Sequence, residues 1–128
     1  MKHTLRLTLA AACAVLAAAP ALAQTGALRT ERTLTLELAS QIATSTVAAC
    51  QAKGYAVSAA VVDRAGNLRV LLRADNAGPH TIESARQKAF TSASARNNTQ
   101  AMMEGAQKNP GAANLVHLPG FLLLGGGV

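Results

Sequence analysis

The sequence is poor in the residues that build aromatic, disulfide-linked or membrane-spanning structures. Among its 128 residues there is no tryptophan, one tyrosine and two phenylalanines. Proteins that bind single-stranded nucleic acid commonly stack bases on aromatic rings, and here the basic residues also form no run, so the composition argues against a nucleic-acid partner. Half of the residues are hydrophobic, but many of them are alanines. This predicts a core of small side chains that each bury little apolar area.

The first 23 residues have the three-part pattern of a secretory signal peptide. Lys2 and Arg6 carry positive charge, an uncharged apolar run follows, and Ala21-Leu22-Ala23 offers the small residues that a signal peptidase reads. We expect cleavage before Gln24, which leaves residues 24–128 in the periplasm or outside the cell. No apolar run reaches the roughly 20 residues that a membrane-spanning helix needs, so stable membrane insertion after cleavage is not expected.

Cysteine is scarce as well. Cys13 belongs to the leader, and Cys50 is the other of the two cysteines. The exported domain is therefore expected to hold together by packing, without an internal disulfide. Cys50 lies on the apolar face of a predicted helix, which favours a buried, unreactive thiol. Loss of Lys2 and Arg6 with the leader lowers the net charge from +6 to +4.

Helical spacing of apolar residues predicts three helices in the mature chain. Thr35 is the expected N-cap of the first helix, and Asn98 or Thr99 that of the third. Gly78-Pro79 places a proline at the start of the second, where its missing N–H costs nothing. The three predicted helices cover residues 33–53, residues from about 80 to 96, and residues from 100 to about 108.

Alternating apolar residues predict a hairpin whose strands cover residues 55–62 and 68–73. Asp63 to Asn67 is a strong turn signal, because the aspartate can accept hydrogen bonds from the turn backbone and Gly66 can take a positive φ. Both faces of the first strand are mostly apolar, which favours an interior strand. The uninterrupted apolar run Phe121–Leu124 predicts a further short strand.

The motifs of the hairpin and the following helix occur in a recognisable order. They read D-x-x-G-x-L, R-x-D and A-x-x-K-A-x-T, and the run NTQAMMEGAQKNPGAANLVHLPGFLLLGGGV follows them. This order resembles the GlcG/HbpS-like haem-binding family, from about Leu34 to Val128. The matching positions are Asp63, Gly66 and Leu68, then Arg73 and Asp75, then Ala85, Lys88, Ala89 and Thr91.

The resemblance implies an α/β (α+β) fold in which helices cover a profilin-like antiparallel sheet. Family members commonly form oligomers and some bind haem, so a homo-oligomer with haem as its cofactor is implied. The secreted branch is implicated in haem or iron sensing and in haem degradation. Members continue past the glycine triplet with two strands and a closing helix, so we expect those elements to be missing here and the domain of residues 24–128 to be truncated.

Haem binding requires an axial iron ligand and usually cations for the propionates. His80, at the start of the second helix, is the expected iron ligand, with Arg73 and Lys88 as the expected partners of the carboxylates. A purely structural role for His80 stays open, and His117, in a loop, is a weaker candidate. Met102 and Met103 are expected to pack in the core.

A second interpretation involves no haem. The loop of residues 74–81 would then bind a small organic acid, or the domain would serve as an accessory to an enzyme. A third interpretation is a truncated product without function. The sequence contains no Walker-type phosphate loop, no zinc-ligand cluster and no nucleophile–base pair, so it predicts no defined reaction beyond slow haem degradation, which stays open.

Overall fold

The computed structural model describes residues 29–128, and residues 32–128 form one unit. The predicted leader, residues 1–23, lies outside the described residues. In the part that is described, helices surround a two-stranded antiparallel sheet. The elements, in chain order, are α1 (Leu36–Gln51), β1 (Ser58–Val62), β2 (Leu68–Arg73), α2 (His80–Ala95), α3 (Thr99–Lys108), α4 (Pro110–Ala113) and a 3-10 turn (Asn114–His117).

The N-caps lie where the sequence predicts them. The Oγ1 of Thr35 accepts a hydrogen bond from the backbone N–H of Leu38 at 3.2 Å, and α1 begins at the next residue. The side-chain oxygen of Asn98 accepts from the N–H of Ala101 at 2.8 Å and starts α3. Each cap satisfies one of the backbone donors that a helix leaves unpaired at its start.

The hairpin matches the prediction at its turn and differs at its first strand. One carboxylate oxygen of Asp63 accepts from the N–H groups of Ala65 and Asn67, both at 2.9 Å. Gly66 takes φ +85°, as a turn of this kind requires. The first strand begins at Ser58 and not at residue 55, because its pairing with β2 ends at Arg73.

The core consists of small side chains, as the composition predicts. Two threonines, Thr91 and Thr99, are also fully buried. Both α1 and α2 pack on both strands. The buried hydrophobic residues are Ala39, Ala43, Ala59, Ala74, Ala77 and Met102.

The strand predicted at Phe121–Leu124 is absent, and this prediction is wrong. The segment has irregular backbone, and no described strand lies beside it. Its polar groups bond to buried hydroxyls: the Oγ1 of Thr91 accepts from the N–H of Leu122, and the Oγ1 of Thr99 donates to the carbonyl of Leu124, both at 2.8 Å. Two threonine hydroxyls therefore make hydrogen bonds to this segment that a neighbouring strand would otherwise make.

One further prediction needs correction. β1 is predicted to be an interior strand, yet among residues 29–128 it pairs with β2 alone. α3 ends at Lys108, as predicted, and Asn109 then caps the short α4, with Pro110 in its first turn. None of the helices in the described range is long and apolar enough to cross a membrane.

Candidate functional site

His80 is the first residue of α2 and is exposed. Its imidazole makes no hydrogen bond or ion pair with another residue in the described part of the chain. The ring lies against Gly78: a Cβ added there would come within 2.7 Å of Cε1 and 2.9 Å of Nδ1, but 3.7 Å from Nε2. The missing side chain at Gly78 therefore makes room for the ring, and Nε2 is the nitrogen that lies farther from the loop.

Arg73 lies at the other end of the same loop, as the last residue of β2. Its Nη1 donates to the carbonyl oxygen of Ala77 at 2.6 Å, which ties the loop of residues 74–79 to the strand. The side chain is exposed, and its other N–H groups make no hydrogen bond within the described residues. The loop thus brings a histidine and an arginine to the same end of the hairpin.

Lys88 lies elsewhere. It is eight residues beyond His80 on α2, which corresponds to about 12 Å along a helix axis. It makes no ion pair with Asp75 or Glu83. Glu83 instead pairs with Arg86, whose Nε donates to Oε2 at 2.9 Å. This bond lowers the pKa of Glu83 and raises that of Arg86.

Lys88 lines a groove that α1 and α2 form along β1, which we call the β1 groove. One part has a volume of about 440 Å³ and a second, overlapping part about 680 Å³. Both parts are lined by Ile42 of α1, Ala60 and Val61 of β1, Ala89 of α2, and Val128. The groove was not predicted, because an interior strand was expected at β1.

Cys50 lines the same groove and is half-buried, so the prediction of a buried thiol is wrong. The residues of α1 that share its helical face divide into two groups. Ala39 and Ala43 are completely buried, whereas Ile42 is 41% exposed. The sheet extends under only part of the apolar face of α1, and the remainder forms a wall of the groove.

The loop offers a candidate iron ligand and one cation for a propionate, but it does not offer a second cation. An exposed imidazole for which Gly78 leaves room suits an iron ligand, and the exposed guanidinium of Arg73 suits a carboxylate. Lys88 does not join them at this loop. Among residues 29–128 no group of three His, Cys, Asp or Glu side chains could hold a bare metal ion.

Met102 lies in the core as predicted, whereas Met103, predicted there too, is only half-buried. His117 ends the 3-10 turn and is exposed. None of the three lines the β1 groove.

Comparison with known sequences identifies relatives of the whole domain. The model of the family described as "Haem degrading protein HbpS-like" matches residues 34–128. No curated protein matches the chain.

Solved structures agree in fold. The crystal structure of HbpS is 42% identical and superposes with a TM-score of 0.71, over 77% of this chain and 68% of that one. A double mutant of Streptomyces reticuli HbpS is also 42% identical, with a TM-score of 0.72 over 84% and 72% of the two chains. The Klebsiella pneumoniae protein ORFY, at 22% identity and a TM-score of 0.68 over 78% and 70%, shares the fold. The expected class, helices over an antiparallel sheet, is confirmed.

Proposed function

Since this chain belongs to the HbpS-like haem-degrading family, we propose that it is an exported module that binds haem and serves in haem or iron sensing. The observation that carries the proposal beyond the family is the exposed imidazole of His80, seated over Gly78. His80 would supply the axial ligand through Nε2, and Arg73 would bind a propionate. Lys88 would bind a second carboxylate only if the ligand reaches along α2.

Bound haem would supply a redox-active iron centre, which is the chemistry that oxidative haem degradation needs. The residues of this chain would bind and orient the group. In this proposal binding is the primary activity, and slow degradation would be seen as a gradual loss of the Soret band under a reductant and air.

A haemin titration tests the proposal. The purified protein should give a saturable Soret shift, and His80→Ala should weaken binding by about tenfold or more, a free-energy loss of about 1.4 kcal/mol. His117→Ala is the matched control, because it removes an exposed histidine at a distance from the loop. A folded protein without a Soret shift, or equal effects of the two variants, would exclude His80 as the iron ligand.

The cations are tested in the same way. Arg73→Met should weaken haemin binding less than His80→Ala does, since a single propionate contact is lost while the iron ligand stays. Lys88→Met should weaken haemin binding if the ligand reaches along α2, and should have no effect if the ligand is confined to the loop. Circular dichroism of each variant separates loss of binding from loss of fold.

One observation favours the alternative of an organic acid: the guanidinium of Arg73 has free N–H groups beside the loop. In that case Arg73→Met would abolish binding of a dicarboxylate such as malate, and haemin would give no saturable shift. Titration with both ligands separates the two functions.

Export and assembly form part of the proposal. N-terminal sequencing of protein from the periplasm or medium should begin at Gln24. Light scattering on a sizing column should give a homo-oligomer. Retention of the leader would contradict export, and a monomer at micromolar concentration would contradict assembly. Neither result would contradict the proposal that the protein binds haem.

A further inference from the structure

The helix that carries His80 begins without a side-chain cap. Pro79 occupies the N-cap position of α2, and its side chain makes no hydrogen bond there. Thr81, the second residue of α2, instead donates through Oγ1 to the carbonyl oxygen of Gly78 at 2.6 Å. Its backbone N–H donates to the same oxygen at 3.0 Å. Two hydrogen bonds from one residue therefore hold the carbonyl of Gly78 at the start of the helix.

A second hydroxyl supports the first. The Oγ of Ser58 lies 2.7 Å from the Oγ1 of Thr81. A hydroxyl has a single proton to donate, and that of Thr81 is used on a carbonyl, which can only accept. Ser58 is therefore the donor of the pair. The bonds run from Ser58 to Thr81 and from Thr81 to Gly78, and we call this arrangement the hydroxyl clamp.

The hydroxyl clamp starts from the end of the hairpin. Ser58, the first residue of β1, lies opposite Arg73, the last residue of β2. The side chain of Arg73 donates to the carbonyl of Ala77 at 2.6 Å, and Ala77 directly precedes Gly78. Two residues that face each other across the sheet therefore hold two consecutive carbonyls of the loop, one from each strand.

The ring of His80 lies against the residue that the hydroxyl clamp holds. A Cβ added at Gly78 would come within 2.7 Å of Cε1 of the ring. The imidazole makes no hydrogen bond or ion pair within residues 29–128. Its position therefore depends on the backbone at the start of α2 and on packing against Gly78, and a shift of Gly78 would crowd or release the ring.

We propose that Ser58 and Thr81 are positioning residues for His80. They hold Gly78, and through it the imidazole, in the place from which Nε2 would reach iron, and they act through His80 and not by contact with the ligand. The role toward haem rests on the proposed function, whereas the ordering of His80 does not. A ligand that meets an imidazole already in place binds more tightly, because the cost of ordering the loop has been met in the free protein.

Backbone ¹⁵N relaxation of the protein without haemin tests the ordering. The amides of Gly78 and His80 should have order parameters of about 0.85 in the wild type and below about 0.6 in Thr81→Val. Valine keeps the β-branched shape and removes only the hydroxyl, whereas Thr81→Ser keeps the hydroxyl and should restore both values. Because Ser58 acts through Thr81, adding Ser58→Ala to Thr81→Val should cause no further loss of order.

Haemin titration measures what this order contributes to binding. If the fraction of protein with the loop in place falls to about a tenth, the apparent affinity falls about tenfold. Thr81→Val should show this loss, and Thr81→Ser should stay within about twofold of the wild type. In a His80→Ala background, Thr81→Val should have no further effect. A direct contact between Thr81 and haem would instead lower the affinity in both backgrounds.

Thr46→Val is the matched control. The hydroxyl of Thr46 on α1 also donates to a backbone carbonyl, that of Ile42 at 2.8 Å, so the same kind of bond is lost away from the loop. This variant should leave the order parameters and haemin binding unchanged. If Thr81→Val does not fold, Ser58→Ala should still lower the two order parameters, whereas Ser40→Ala on α1 should not.

The results separate this proposal from that of haem binding. Unchanged order at Gly78 and His80 in Thr81→Val, equal losses in Thr81→Ser, or a further loss of affinity in the His80→Ala background would overturn the role of the hydroxyl clamp. A folded wild type without a Soret shift would overturn haem binding alone, because the order parameters are measured without haemin.

Discussion

At the scale of single residues, two buried threonines hold the C-terminal segment. The hydroxyl of Thr99 donates to the carbonyl of Leu124 and accepts from the N–H of Gly127, both at 2.8 Å. Its backbone N–H also donates to the carbonyl of Gly127 at 2.9 Å. Thr91 provides the acceptor for Leu122. These hydroxyls bond to backbone groups of an irregular segment, and the N–H of Gly127 among them is buried.

Thr99→Val should destabilise the protein by about 1–3 kcal/mol. Valine keeps the shape but leaves the buried N–H of Gly127 without a partner and removes the part-buried bond to the carbonyl of Leu124. A buried donor without a partner costs more than the bond itself contributes. Urea denaturation measures the loss. Thr44→Val makes the same chemical change at an exposed position on α1 and should stay within about 0.5 kcal/mol of the wild type. Equal losses in the two variants would show that the hydroxyl of Thr99 contributes nothing specific.

Asp63 predicts a dependence of stability on pH. Hydrogen bonds from the backbone and side chain of Asn67, and from the backbone of Ala65, lower the pKa of Asp63 below its ordinary value of 3.8. A carboxylate with a lowered folded pKa contributes stability above the unfolded pKa and loses it as the pH falls through the folded value. Wild type should therefore be more stable than Asp63→Asn at pH 6, and the gap should close below about pH 4. Urea titrations from pH 2 to 7 test this, and a constant gap would contradict it.

The capping and turn residues were predictable from the sequence because their hydrogen bonds are local. Thr35, Asn98 and Asp63 bond to backbone within four residues, so a short sequence window contains both partners. Thr91 and Thr99 bond to residues 25 to 31 positions away. No local pattern marks such a pair, and threonine on a helix gives no indication that it is buried.

At the scale of elements, the turn of the hairpin and the C-terminal segment both contact the ring of Phe90 on α2. Phe90 of α2 lies beside Gly66 of the turn and Gly120 of the C-terminal segment. Phe121 packs edge-on against it, with ring centroids 6.0 Å apart. A Cβ at Gly66 would come within 2.8 Å of the ring of Phe90. The turn therefore needs glycine for its backbone conformation and for close packing.

Gly66→Ala should consequently be more costly than the same change at Gly54. Both glycines have φ near +80°, but an added Cβ at Gly54 meets nothing within 4 Å. Gly54→Ala should cost about 1 kcal/mol for the left-handed backbone alone. Gly66→Ala should cost about 1–3 kcal/mol more, because the ring must move. Thermal or urea unfolding measures both, and equal losses would show that Phe90 moves freely.

The elements with a clear period were predictable, and those set by tertiary neighbours were not. β2 and both ends of α3 lie at or within one residue of the sequence prediction. The strand predicted at Phe121–Leu124 is absent because a short apolar run indicates that a segment is buried, but does not indicate whether another strand pairs with it. For the same reason β1 was predicted to have two neighbours and has β2 alone in the described chain.

At the scale of the whole molecule, the candidate residues divide between two places. His80 and Arg73 share the loop at one end of the hairpin, whereas Lys88 belongs to the β1 groove. Their proximity in sequence suggested a single site. A helix separates residues eight positions apart by more than two turns, so sequence distance alone could not tell one site from two.

The packing of the molecule is uneven, and this gives a final prediction. Ala43 is completely buried on the inner face of α1, while Ala89 of α2 lines both parts of the β1 groove. Leucine at position 43 would overfill a closed space and should cost about 1–3 kcal/mol. Leucine at position 89 would extend into open volume, bury its own apolar surface and should be neutral or stabilising by up to about 1 kcal/mol.

Urea denaturation of Ala43→Leu and Ala89→Leu measures these two identical changes side by side. Both replace alanine by leucine inside a helix, so the intrinsic helix propensities cancel in the comparison. The difference between the variants therefore reports the local packing alone. If Ala89→Leu destabilises the protein as much as Ala43→Leu, the groove beside Ala89 is closed in solution.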